Sequence, residues 1–65
     1  MKLLINDIPH TLPPGAKLAD ALVLADAKPP FAVAVNRQFV PRSSYGSHLL
    51  QDDDRIEVIR PVTGG

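Results

Sequence analysis

The residues best suited to chemistry in this sequence are its last two. The chain closes on RIEVIRPVTGG, so Gly64 and Gly65 follow a patterned apolar strand and a proline. Glycine has no Cβ, so a Gly-Gly tip passes through slots too narrow for any other residue. The reactive group of such a tip is the α-carboxylate of Gly65. A resting carboxylate is a poor electrophile. Joined to AMP it becomes a mixed anhydride with a good leaving group, open to a sulfur or nitrogen nucleophile. On that reading the protein is a macromolecular carboxylate substrate with no active site of its own. Two closing glycines arise by chance in roughly one chain in two hundred at average usage, so the strand before them carries more of the argument than the dipeptide does.

Other candidates are weaker. Ser43, Ser44, Tyr45 and His48 lie close in sequence, but their spacing matches no nucleophile–base arrangement, and His48 reads as a loop histidine. His10 reads as a residue of an edge strand. The run QDDDR sets three aspartates side by side, whereas calcium loops alternate their acidic ligands with other residues and place a glycine at the sharp turn. It reads as a solvated turn before the last strand. PPGA has one glycine and none of the further residues that phosphate-cradling loops require. The chain has no cysteine, hence no disulfide and no thiolate, and no metal site is expected.

The elements that must carry the terminus follow from periodicity. In KLLINDIPHTL, Leu3 and Ile5 alternate with Lys2, Leu4 and Asn6, and Asn6-Asp7 predicts a tight turn into a second arm. Pro9 removes a ladder donor from that arm and makes it an edge strand. In KLADALVLADAK, Leu18, Ala21, Leu22 and Ala25 share one helical face, with Asp20 in the first turn and no good N-cap residue. Val23 and Leu24 widen the stripe beyond one face, so one of them should be partly exposed, and KPP should end the helix. FAVAVNRQFVP predicts a second hairpin, turning at Asn36-Arg37-Gln38, with Phe31, Val33 and Val35 opposite the flat Ala32/Ala34 row. RSSYGSHLLQDDD predicts an irregular connection with a short helical turn beginning near Ser43 or Ser44. In RIEVIRPV, Ile56 and Val58 point one way and Ile59 the other. The result is an α+β domain spanning 1–65, a mixed sheet of four to five strands packed on one main helix, with a flexible tail from about 61.

Bulk properties agree with a small soluble domain. Seven basic residues balance seven acidic ones, which removes the net basic face expected of a nucleic-acid binder. The apolar run in MKLLINDIPH is too short for a signal peptide, and no stretch approaches the ~20 residues of a membrane span. A cytoplasmic location and a monomeric free state are expected.

With these residues in view, the sequence resembles the ubiquitin-like β-grasp sulfur carriers, and in particular the ThiS-type carriers of thiamine biosynthesis. The likeness runs through LLIND, LADALVLADA, VAVNRQFVPR and DDDRIEVIRPVTGG, nearly the whole chain. The resemblance implies a β-grasp fold whose first and last strands are parallel neighbours at the sheet centre. It also implies a cycle. A ThiF-type, E1-like adenylyltransferase uses ATP and magnesium to adenylate the Gly65 carboxylate. Sulfur drawn from cysteine by a desulfurase then replaces AMP and leaves a thiocarboxylate on Gly65. A ThiG-type thiazole synthase takes that sulfur into the thiazole ring. ATP and magnesium belong to the activating enzyme, so no cofactor is expected in this chain. PVTGG also resembles the small subunit of molybdopterin synthase, and a ubiquitin-like binding module that is never activated is a third alternative. Relatives commonly carry a glycine in the turn before the last strand, where this chain has Asp52-Asp53-Asp54.

Val62, Thr63 and Gly64 are then expected to enter partner active sites behind Gly65. The sheet face left bare by the helix, with Ile59, Arg60 and Phe39, is the expected recognition surface, an apolar anchor beside a charged rim.

Overall fold

A computed structural model describes residues 1–61 of the chain; Val62, Thr63, Gly64 and Gly65 lie outside the described residues. The elements in chain order are β1 (Lys2–Ile5), β2 (Ile8–Thr11), α1 (Leu18–Leu24), β3 (Ala32–Val35), β4 (Gln38–Val40), a 3-10 turn over Arg42–Ser44, and β5 (Arg55–Ile59). The strands form one five-stranded sheet in the order β2-β1-β5-β3-β4. β1 and β5 run parallel, with Leu4 paired to Arg55 and Ile5 to Ile56, while the other neighbours are antiparallel. The last strand is therefore central, and the parallel pairing of first and last strands expected from the resemblance is present.

Both hairpins form where the sequence places them. The two-residue turns Asn6-Asp7 and Asn36-Arg37 hold all four residues at positive φ, between 48° and 67°, which matches the right-handed twist of the strands they join. Asparagine tolerates this region better than other non-glycine residues. Gln38, expected in the turn, is the first residue of β4, because a two-residue turn suffices. Pro9 sits in β2 at the sheet edge, where its missing N–H leaves no inner neighbour unpaired.

One face of the sheet carries the core. Leu3, Ile5, Val33, Val35, Val40 and Ile56 are buried against Leu18, Ala21 and Leu22 of α1, with Leu50 closing one side. Leu18, Val33 and Ile56 are the most completely buried large side chains, one each from the helix, β3 and β5. The helix is thus pinned over the centre of the sheet. Each such burial stabilises by roughly 1.5–3 kcal/mol.

The helix departs from expectation at both ends. Lys17 at the N-cap makes no capping bond through its side chain, but Asp20 Oδ2 accepts from the Lys17 N–H at 2.9 Å. The first free N–H groups are met from elsewhere in the chain: Leu18 donates to the His48 carbonyl and Ala19 to that of Tyr45. The connection after β4 therefore caps the helix, a tertiary solution that local sequence does not display. At the other end the helix stops at Leu24, before KPP. Asp26 takes φ 53°, its N–H donates to the Val23 carbonyl, and the Ala27 N–H reaches back to Leu22. This is a Schellman motif with aspartate in the glycine position. Val23 (81% exposed) and Leu24 (47%) both lie off the buried face of Leu18, Ala21 and Leu22, where one of the two was expected to be partly exposed.

Candidate functional site

β5 is the last strand before the C-terminal residues, and its surroundings fix where the sheet ends. At its start, Leu4 donates its N–H to the Asp54 carbonyl and Asn36 donates to that of Arg55. On the β3 side the pairing runs from Val35–Ile56 to Ala32–Ile59. There it stops, because Pro29 and Pro30 precede β3 and Pro61 follows β5 within two residues, and proline has no N–H for a further rung. The sheet thus releases the chain after Ile59, with Arg60 and Pro61 exposed and outside any strand. Val62, Thr63, Gly64 and Gly65, the expected tail and reactive terminus, lie outside the described residues.

The expected recognition residues are partly brought together. Ile59 pairs with Ala32, and Phe39 pairs with Ala34, so all four share the sheet face opposite the helix. Ile59 is 52% exposed and Phe39 71%, and the two alanines between them keep the surface flat. Arg60 lies one residue past the strand, so no ladder bond holds it on that face. Nearer the start of β5, the open face has a shallow polar depression lined by residues including Asp7, Arg37, Arg55 and Glu57. Asp7 and Arg55 pair across it at 3.5 Å, but both side chains are largely exposed, so the pair contributes little.

Three residues that sequence reasoning did not single out for the site hold β5 in place. Asn6 Oδ1 accepts from the Val58 N–H at 2.9 Å, while the Asn6 N–H donates to the Ile56 carbonyl. Asn36 Oδ1 accepts from the Arg55 N–H at 3.0 Å, and its Nδ2 donates to Asp54 Oδ1 at 2.9 Å. Asp54, only 6% exposed, also accepts from the Gln51 N–H through Oδ2. Each hairpin thus lends its first turn residue to the central strand. The available signal was that both turns begin with Asn yet lack glycine at the second position.

The aspartate run is likewise more than a solvated turn. Asp52 Oδ1 accepts from the Lys2 N–H, Asp53 stands at φ 70° and donates its N–H to the Lys2 carbonyl, and Asp54 is buried. Asp53 occupies the conformation a glycine would take, which explains how the chain dispenses with one there. Among the described residues no group of three or more His, Asp or Glu side chains converges as a metal site. Nor, among them, does a hydrogen bond join the His48 ring to Ser43 or Ser44. Tyr45 is occupied in a parallel stack on Phe31, with ring centroids 6.1 Å apart.

With this geometry established, comparison with known proteins is specific. Residues 3–65 match the model of the ThiS family. The chain is 32% identical to the sulfur carrier protein ThiS of Escherichia coli over the full length of both. It is 39% identical to a stretch of the thiazole synthase of Magnetococcus marinus, where it spans all of its own length and 20% of that protein. A crystal structure of the thiamine biosynthesis protein ThiS from Geobacter metallireducens superposes with a TM-score of 0.82, at 20% identity and full coverage of both chains. A solution structure of a thiamine biosynthesis protein from the same organism gives 0.77, also at 20% identity, covering all of this chain and 88% of that one. The fold is therefore the ubiquitin-like β-grasp, and the chain belongs to the ThiS family.

Proposed function

We propose that the chain is a sulfur carrier protein of thiamine thiazole biosynthesis, with Gly65 as the carrying residue. The observation that supports this most directly is its match to the E. coli sulfur carrier over the full length of both chains, beside this chain's own Gly-Gly end. The geometry fits the task. A strand tied on both sides at the sheet centre runs into Pro61 and the PVTGG end, so a rigid body stands behind a thin tip.

In the proposed cycle a Gly65 carboxylate oxygen attacks the α-phosphorus of ATP on a ThiF-type adenylyltransferase and displaces pyrophosphate. Sulfur drawn from cysteine as a desulfurase persulfide, with a thiol supplying the two electrons that bring it to the sulfide level and ending as a disulfide, replaces AMP at the acyl carbon. The resulting thiocarboxylate delivers sulfur to a ThiG-type thiazole synthase. ATP and magnesium act on the adenylyltransferase, and the chain is a protein co-substrate without a catalytic site of its own. It acts in the cytoplasm as a monomer between encounters. Val62, Thr63 and Gly64 thread the partner active sites, while Ile59 and Phe39 meet the partner surface with Arg60 at its rim. That a stretch like this chain forms part of a thiazole synthase in M. marinus supports the thiamine reading over the molybdopterin alternative.

The test is reconstitution with a ThiF-type adenylyltransferase and ATP. Pyrophosphate release should depend on the chain and should vanish when one residue is added after Gly65. Equal release from the extended chain would sink the reading.

A further inference from the structure

β1 and β5 pair over only two residue positions, Leu4–Arg55 and Ile5–Ile56, because β1 turns away at Asn6-Asp7. β5 nevertheless continues to Ile59. On its β1 side the next rung is made by a side chain: Asn6 Oδ1 receives the Val58 N–H, 2.9 Å away and 52 positions along the chain. Beyond Ile56, among the described residues, the remaining ladder pairing of β5 is with its antiparallel partner β3, whose last pairs are Val33–Val58 and Ala32–Ile59, and the Val58 side chain packs against the core. End rungs of a ladder open most readily.

We propose that Asn6 is a positioning residue for delivery of the tail: by standing in for the missing residue of β1 it fixes the heading with which β5 leaves the sheet. This rests on the sulfur-carrier reading above. Gly65 lies seven positions beyond Val58, a reach of at most about 25 Å. A change of heading of roughly 10° at Val58 would move a fully extended tip by about 4 Å, and misplacement by about 1 Å already costs up to about a hundredfold in an enzyme site. The conformational demand at Asn6 is separate from this role. Its φ of 48° is met at least as well by glycine, so turn formation does not by itself require the amide oxygen.

Two variants separate the roles. Asn6→Gly keeps the turn and loses the acceptor; Asn6→Asp keeps both. The Val58 amide should exchange roughly two- to tenfold faster in Asn6→Gly, as expected for loss of one hydrogen bond, and near the wild-type rate in Asn6→Asp. With a ThiF-type adenylyltransferase, the KM for Asn6→Gly should rise by a comparable factor at unchanged kcat, because fewer molecules present the tail correctly. Asn6→Asp should restore it. A purely structural role predicts a lower thermal midpoint with KM unchanged for folded protein, and that result overturns the proposal. If the wild-type chain is not adenylated at all, the carrier reading fails and the positioning role falls with it. Wild-type activity with an unaltered Asn6→Gly KM removes the positioning role alone.

Discussion

Asp53 stands at φ 70°, where an L-residue's Cβ crowds the backbone and glycine does not. Replacing it with glycine removes that strain but adds freedom to the unfolded chain, so the unfolding free energy from urea titration should change by no more than about 1 kcal/mol, toward greater stability. Asp53→Val should lower stability by roughly 1–2 kcal/mol, since a β-branched residue is the worst fit to that region. Asp54 is the opposite kind of neighbour, buried and accepting from both Gln51 and Asn36. Asp54→Ala strands both donors and should lower stability by roughly 1–3 kcal/mol in the same assay. Only part of this was legible in the sequence. The turn at Asn6-Asp7 and the position of the last strand follow from residue types. The bonds from Asn6 to Val58 and from Asn36 to Arg55 span 52 and 19 positions, so they emerge only once the sheet order is known.

Among the elements, the strands were the most readable. Period-two alternation in KLLI, AVAV and RIEVI matches the buried rows, and Pro9 marks an edge. The helix was readable in its inner face and not in its ends. Its N-terminus is capped by carbonyls of His48 and Tyr45, and its C-terminus by a left-handed Asp26, so neither the residue types at the caps nor KPP set its length. The division between its faces has energetic consequences. Leu18, fully buried over Val33 and Ile56 in the core, should cost roughly 2–5 kcal/mol when cut to alanine. In a 65-residue chain that is a large share of the margin, and thermal melts should show a marked drop. Val23→Lys, on the exposed face, should stay within about 0.5 kcal/mol of wild type. A large loss there would mean that the outer face of α1 is covered by something.

At the scale of the molecule, the sheet order explains why a body this small can serve as a handle. β5 has neighbours on both sides, and its burial at Ile56 couples it to the helix. The end of its pairing after Ile59 is set by the prolines that flank β3 and β5. Stability and delivery are therefore separable. Deleting Gly65 should abolish sulfur transfer while leaving the thermal midpoint within about 1 °C, because the deletion removes one glycine and no side chain. The terminus was singled out from residue types alone, whereas the bond from the Val58 N–H to Asn6 Oδ1 became visible only in the fold. The central claim concerns one atom group, and intact mass spectrometry tests it most directly. After incubation with ATP, magnesium, a ThiF-type adenylyltransferase, a cysteine desulfurase with cysteine, and excess thiol as reductant, the chain should gain the mass difference between one sulfur and one oxygen, localised to the Gly65 carboxyl. An unchanged mass, with an adenylyltransferase shown to be active on another carrier, would contradict the account.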